Sequence, residues 1–260
     1  MIENEIIIKN QDKNKNKANK KENISKIEDD KNMKKENYKY NAEIINVPKD
    51  FTNYEVNFKI IVIGNSGVGK TCITNQGVKN EFTNKYQPTI GMEIFSLCVK
   101  LDNKIIRLQI WDTCGQEIYR SLITNFYRSS SLAIIVYSII EKDSFADLDL
   151  WIKELKSNNS PDTKLILVGN KLDLEERREI KYEEGKKFAE DYGFIDFIET
   201  SALTGKNIKK MFIKAAIVLY DQYLNFKDND SSTSFSTFRP ENSQPLKRNK
   251  SKKKKGKKCC

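Results

Sequence analysis

The sequence predicts an α/β domain: a mixed six-stranded sheet, mostly parallel, with helices on both faces. Three observations lead there. Strand-like apolar runs recur through residues 53–226. Helix-length amphipathic segments lie between most of them, the pattern of βα units in a parallel sheet. The first apolar run stops at a glycine-rich loop that opens a helix.

Each element has its own reason. FKIIVI, from Phe58, is a largely apolar run ended by a glycine loop, as suits a strand, and a helix over 71–80 follows that loop. SLCVKL and KIIRLQIW are joined only through Leu101-Asp102-Asn103-Lys104, too short for a crossover. That pair must therefore be an antiparallel hairpin. Next come SLAIIVYS, a helix near 144–157, KLILVGN, a helix near 181–191, FIDFIET and a helix near 207–224. Residues 1–52 are Lys/Asn-rich and aromatic-poor, with at most a short helix suggested over Asn23–Lys35. Such a segment buries too little apolar surface to offset its ordering entropy, so it is expected to be disordered. The Ser/Asn/Pro/Lys composition of residues 227–260 predicts a disordered basic tail.

Charge distribution narrows the partners. The chain of 260 residues carries a formal +10, but residues 51–226 hold 23 basic and 23 acidic side chains. Residues 227–260 hold 11 basic and 3 acidic, and residues 1–50 hold 12 and 10. A nucleic-acid-binding domain would carry the surplus on its folded part, so no nucleic-acid partner is expected. A tail with this surplus suits an anionic membrane surface; a nuclear-import signal or mere solubilisation are the alternatives. No apolar run approaches the ~20 residues of a membrane span. Met1-Ile2-Glu3 does not open a signal peptide, and Ile2 excludes N-myristoylation. Cys72, Cys98 and Cys114 form no disulfide-like pattern, which implies a reducing, cytosolic context. Cys259 and Cys260 are adjacent behind a lysine run; a disulfide between neighbours would be strained, and without histidine they fall short of a closed zinc site.

The chemistry begins where the first strand stops. Gly64-Asn65-Ser66-Gly67-Val68-Gly69-Lys70-Thr71 fits G-x-x-x-x-G-K-[ST] between a strand and a helix, which predicts a P-loop NTPase fold rather than a chance glycine turn. Its backbone N–H groups can cradle phosphates, Lys70 can reach the β/γ oxygens, and the Thr71 hydroxyl can ligate Mg²⁺. Trp111-Asp112-Thr113-Cys114-Gly115-Gln116 supplies D-x-x-G. There Asp112 can hold a Mg²⁺ water, Gly115 can offer an N–H to the γ-phosphate, and Gln116 can orient the attacking water. Asn170-Lys171-Leu172-Asp173 reads N-K-x-D: Asp173 can accept from guanine N1–H and the exocyclic amine, while Lys171 lies over the base and Asn170 ties this loop to the phosphate loop. In Thr200-Ser201-Ala202, the Ala202 N–H can meet guanine O6. All four segments fall in order at the C-terminal ends of strands, where α/β sheets bind ligands.

On these motifs residues 57–224 resemble a Ras-superfamily small GTPase, most similar to the Rab branch. GNSGVGKT, Thr89-Ile90-Gly91, LQIWDT, Phe126-Tyr127-Arg128 and the final Cys-Cys carry that resemblance, and the short interval between Asp173 and Thr200 leaves no room for a Rho-type insert. The resemblance implies that Thr89 contacts Mg²⁺ and the γ-phosphate, that Phe82 packs against guanine, and that Tyr86 covers the phosphates. Phe82 could alternatively be a core residue. It places the phosphate-loop residue Cys72 and the base-loop residues Ser201 and Leu203 beside the nucleotide, and maps an effector face to Ile94, Trp111 and Phe126. It makes Cys259 and Cys260 sites of double geranylgeranylation.

The implied activity is a GTP/GDP-cycling switch, slow without an activating protein, that recruits effectors in vesicle trafficking on the cytoplasmic face of intracellular membranes. An exchange factor, a GTPase-activating protein and a GDP-dissociation inhibitor or escort protein are the implied partners, with Mg²⁺ as cofactor. Several positions depart from the pattern: Cys114 for Ala, Leu203 for Lys, Ile118 for a basic residue, and Gly77 within the first helix, at an expected cost of about 1 kcal/mol relative to Ala. Ile94 and Phe126 differ from the usual effector residues, so no particular effector carries over. A GTP-bound, non-cycling scaffold acting through residues 1–52 is the alternative, and an ATP-dependent P-loop enzyme is disfavoured by Asp173.

Overall fold

The strand Val56–Ile63 alternates between two cores. Phe58, Ile60 and Val62 join one apolar cluster, and Ile61 and Ile63 the other. A strand stretch buried on both faces needs apolar residues at successive positions, which is why Ile60–Ile63 is unbroken, while Asn57 and Lys59 are only half-buried. The computed structural model describes residues 38–48, 50–83, 91–114 and 126–229.

Among these residues the strands are β1 (Ala42–Ile45), β2 (Val56–Ile63), β3 (Met92–Leu101), β4 (Lys104–Thr113), β5 (Leu132–Ser138), β6 (Lys164–Asn170) and β7 (Asp196–Glu199). The helices are α1 (Lys70–Lys79), α2 (Lys142–Ala146), α3 (Leu148–Asn158), α4 (Tyr182–Asp191) and α5 (Ile208–Asn229), with a 3₁₀ segment over Leu172–Arg177. The sheet order is β1-β3-β4-β2-β5-β6-β7. β3 is antiparallel to both β1 and β4, and every other pair is parallel. One core carries Ile73 of α1 and Met211, Phe212 and Ala215 of α5; the other carries Trp151 and Leu155 of α3 and Ala189 of α4. The helices therefore cover both faces, as the sequence predicts for this α/β fold. Among the described residues no helix is long and apolar enough to cross a membrane.

The sheet has seven strands rather than six, and the extra one comes from the segment expected to be disordered. β1 pairs with the far end of β3, Ala42 opposite Leu101 and Ile45 opposite Cys98. Asn41 N–H donates to Asp102 Oδ1 at 2.9 Å, and Asp102 N–H returns a bond to Asn41 O. Tyr40 meets Tyr220 of α5 edge-on at 5.8 Å, its hydroxyl 2.5 Å from Asp221 Oδ1, and Lys39 reaches the same carboxylate. Four residues are too few to announce a strand by periodicity; an open β3 edge and an aromatic foothold on α5 make it one.

Two helices also differ. The helix expected over 144–157 is broken at Asp147 into α2 and α3. The last helix runs on to Asn229, past the predicted domain end. The first helix holds a further correction. A methyl group on Gly77 would sit 2.3 Å from the Phe212 ring and 3.3 Å from Ile208. Gly77 is thus not a flaw in α1 but the gap that admits the fully buried Phe212.

Candidate functional site

The loops that follow β2, β6 and β7 lie together with the end of β4 at the C-terminal edge of the sheet. The first, residues 64–69, is folded around two tight approaches. Gly64 has φ 140°, and a side chain there would meet Val136 O at 2.1 Å. Gly69, at φ 99°, faces the Asn170 amide, which a Cβ would approach to 2.4 Å. Only glycine serves at positions with such φ values and contacts.

Lys70, the first residue of α1, is turned back into this loop. Its Nζ donates to Gly64 O at 2.9 Å and Asn65 O at 2.8 Å. Burial lowers its ammonium to about 8, against the opposing pull of Asp112. A buried cation held by carbonyls is ready to exchange them for an anion, such as a phosphate at a helix N-terminus. Next to it, the Thr71 hydroxyl donates to Asp112 Oδ2 at 2.5 Å. Asp112 Oδ1 is buried and has no hydrogen-bond partner among the described residues. Burial pushes the Asp112 carboxyl up to about 6, the Thr71 bond and Lys70 opposing. One hydroxyl and one carboxylate with an unmet oxygen fit a hard divalent cation such as Mg²⁺.

The base loops are tied to this centre by one side chain. Asn170 Nδ2 donates to Val68 O at 2.8 Å. Its Oδ1 accepts from Thr200 Oγ1 and from the Ala202 N–H, each at 3.2 Å. Ser201 Oγ donates to Asp173 Oδ1 at 2.6 Å and accepts from the Thr204 N–H. Lys171 lies between them in the left-handed region, φ 71°. Phosphate loop, N-K-x-D segment and T-S-A segment thus form one network.

Other predicted residues divide. Leu203 is exposed, Cys72 is half-buried against the core, and Ser66 and Gly67 lie on the loop's open side. Phe82 is half-buried and packs against the core, with part of its ring exposed. Ile94 is cross-strand neighbour to Trp111, whose ring lies 5.8 Å from that of Phe126, so these three form one surface with Ile94 exposed. Thr89, Tyr86, Gly115, Gln116, Ile118, Cys259 and Cys260 lie outside the described residues.

Sequence reasoning gave Asn65 no role. Its Nδ2 donates to Asp147 Oδ2 at 2.7 Å, and its Oδ1 accepts from Trp151 Nε1 at 2.7 Å. It fixes the phosphate loop to the α2–α3 junction. Partners more than 80 positions away leave no local signal.

Residues 59–221 match the model of the Ras family, and this span begins in β2 and ends in α5. It covers more than half of the chain and contains every described loop of the site. By that match and by its fold, the chain belongs to the Ras family of small GTPases.

Proposed function

We propose that the chain is a Rab-type switch that binds GTP and GDP, hydrolyses GTP slowly, and recruits effectors on the cytoplasmic face of intracellular membranes during vesicle trafficking. The observation that carries the nucleotide reading is the Asn170 bridge, because one buried side chain sets the spacing between the phosphate loop and the base loops. A nucleotide with its phosphates on Lys70 and its base on Asp173 would span that bridge. The loop from Gly64 to Gly69 would receive the phosphates with its N–H groups, and Lys70 would leave its carbonyls for phosphate oxygens. Ser201 holds Asp173 by one oxygen, which fixes the carboxylate that would accept both guanine donors. Ala202 N–H would release Asn170 for guanine O6.

Thr71 and Asp112 would hold Mg²⁺, with Thr89 completing the set. When bound, the ion neutralises charge on the β and γ phosphates. Gln116 is the residue assigned to orient the attacking water, with Gly115 donating to the γ-phosphate. The sequence offers no evident catalytic arginine in cis, so unaided turnover is expected near ~10⁻⁴ s⁻¹, as in related enzymes of this class. An activating protein would add the missing positive charge. The joined surface of Ile94, Trp111 and Phe126 supports an output by binding. The Rab-like stretches and Cys259-Cys260 support a membrane-anchored setting, with escort and dissociation-inhibitor proteins handling the lipids.

The test is to identify the nucleotide retained through purification and to follow one turnover of hydrolysis with and without an activating protein. Guanine nucleotide and accelerated turnover are expected. A retained adenine nucleotide would overturn the reading, while guanine nucleotide without turnover would favour the non-cycling scaffold.

A further inference from the structure

Arg178 directly follows the 3₁₀ segment Leu172–Arg177 that carries Asp173, and bonds engage each of its five N–H groups. Nε and Nη2 donate to the two oxygens of Glu175, at 2.7 and 2.6 Å. Nη1 and Nη2 donate to the two oxygens of Glu199, at 2.6 and 2.7 Å. The other Nη1 hydrogen goes to Ile180 O at 2.9 Å. One planar fork thus holds two carboxylates, each by both oxygens, and fixes their directions as well as their distance. The Arg178 and Glu199 side chains are 16 % and 8 % exposed, while that of Glu175 is 59 % exposed.

The two carboxylates belong to the two base segments. Glu175 stands two positions after Asp173, and Glu199 stands two positions before Ser201. Asp173 and Ser201 are themselves joined by the 2.6 Å hydroxyl–carboxylate bond. That bond and the Arg178 fork are therefore two links of one closed ring. Main-chain groups brace the same ring: Leu172 N–H donates to Thr200 O at 3.0 Å, and Asn207 Nδ2 donates to Glu199 O at 2.7 Å. The Asn170 bridge is separate, since it runs to the phosphate loop at Val68.

Guanine presents its N1–H and its C2 amine side by side, and a carboxylate accepts both only when aligned with them. We propose that Arg178 is a positioning residue for the base: by clamping Glu175 to Glu199 it aligns Asp173 with both guanine donors and so sets the preference for guanine over hypoxanthine, which lacks the C2 amine. This rests on the guanine reading of the site given above. A lysine would not substitute, because a compact ammonium lacks the fork that holds two carboxylates in fixed directions.

The test is competition between GDP and IDP for the full-length protein with Mg²⁺ present. Arg178→Ala and Arg178→Lys should each lower the GDP-over-IDP preference roughly tenfold, the worth of one hydrogen bond to a charged group. Arg178→Ala also leaves Glu199 buried without its cation, which can compromise folding. Glu175→Ala avoids that, since the exposed carboxylate goes and the Arg178–Glu199 pair stays. It should lower the preference as well, by a smaller factor. Equal weakening of GDP and IDP in these variants would show a merely structural role and overturn the proposal. So would an unchanged preference in Glu175→Ala, or full preference in Arg178→Lys. A wild-type protein that binds GDP and IDP alike would instead overturn the guanine reading itself, and this proposal with it.

Discussion

At the scale of single residues, Asn170 ties three distant positions together: Val68, Thr200 and Ala202. Asn170→Ala would leave Val68 O, Thr200 and Ala202 with unmet groups in a buried place, at roughly 1–3 kcal/mol. Thermal unfolding should show that loss, and nucleotide affinity should fall with it. An affinity fully retained would mean that the loops keep their spacing without the bridge. Asp173→Asn should act on selectivity instead. The amide cannot accept both guanine donors but can donate to the C2 carbonyl of xanthine, so competition binding should shift towards xanthine nucleotides. Unchanged GTP preference would remove Asp173 from the base site. Both residues were legible in the sequence, because N-K-x-D is short and contiguous. Asn65 was not, since its bonds to Asp147 and Trp151 cross 82 and 86 positions. Phe82 shows a different limit: its type and spacing suit either a base contact or a core contact, and a half-buried ring packed on the core fits both.

At the scale of elements, the α1–α5 contact reverses a propensity argument. Helix preference alone would make Gly77→Ala stabilising by about 1 kcal/mol. The new methyl would instead overlap Phe212, which is fully buried, and overpacking of that kind costs about 1–3 kcal/mol. The net expectation is a lower melting temperature, and a rise would show that α1 can shift away from α5. β1 offers a second test. Tyr40→Ala removes the edge-on contact with Tyr220, worth about 0.5–1.5 kcal/mol, along with the Asp221 bond. Amides of Cys98–Leu101 should then exchange faster while those of β5 stay protected, and equal rates would mean that pairing alone holds β1. The parallel strands were readable because burial on both faces forces continuous apolar runs. β1 was hidden because its stability comes from β3, Asp102 and α5, none of which lies near it in sequence.

For the whole molecule, the balanced charge of residues 51–226 and the basic surplus beyond them put the proposed membrane contact outside the folded domain. One prenyl chain anchors only marginally, whereas two suffice, and each nearby lysine adds about 1 kcal/mol at an anionic leaflet before screening. Cys259→Ser/Cys260→Ser should therefore move the protein from membrane to cytosolic fractions with nucleotide binding intact; a double variant still on membranes would end the anchor reading. The foothold of the N-terminal segment on α5 has a consequence for synthesis. Tyr40 and Asp221 are 181 positions apart, so on the ribosome the first must wait for the second. At about 5–20 residues per second that delay is roughly 10 to 35 s, and from the completion of β3 at Leu101 onward, roughly 6 to 24 s of it, the β3 edge stands open in a half-made chain. The last helix to emerge is thus the one that lets the first strand settle.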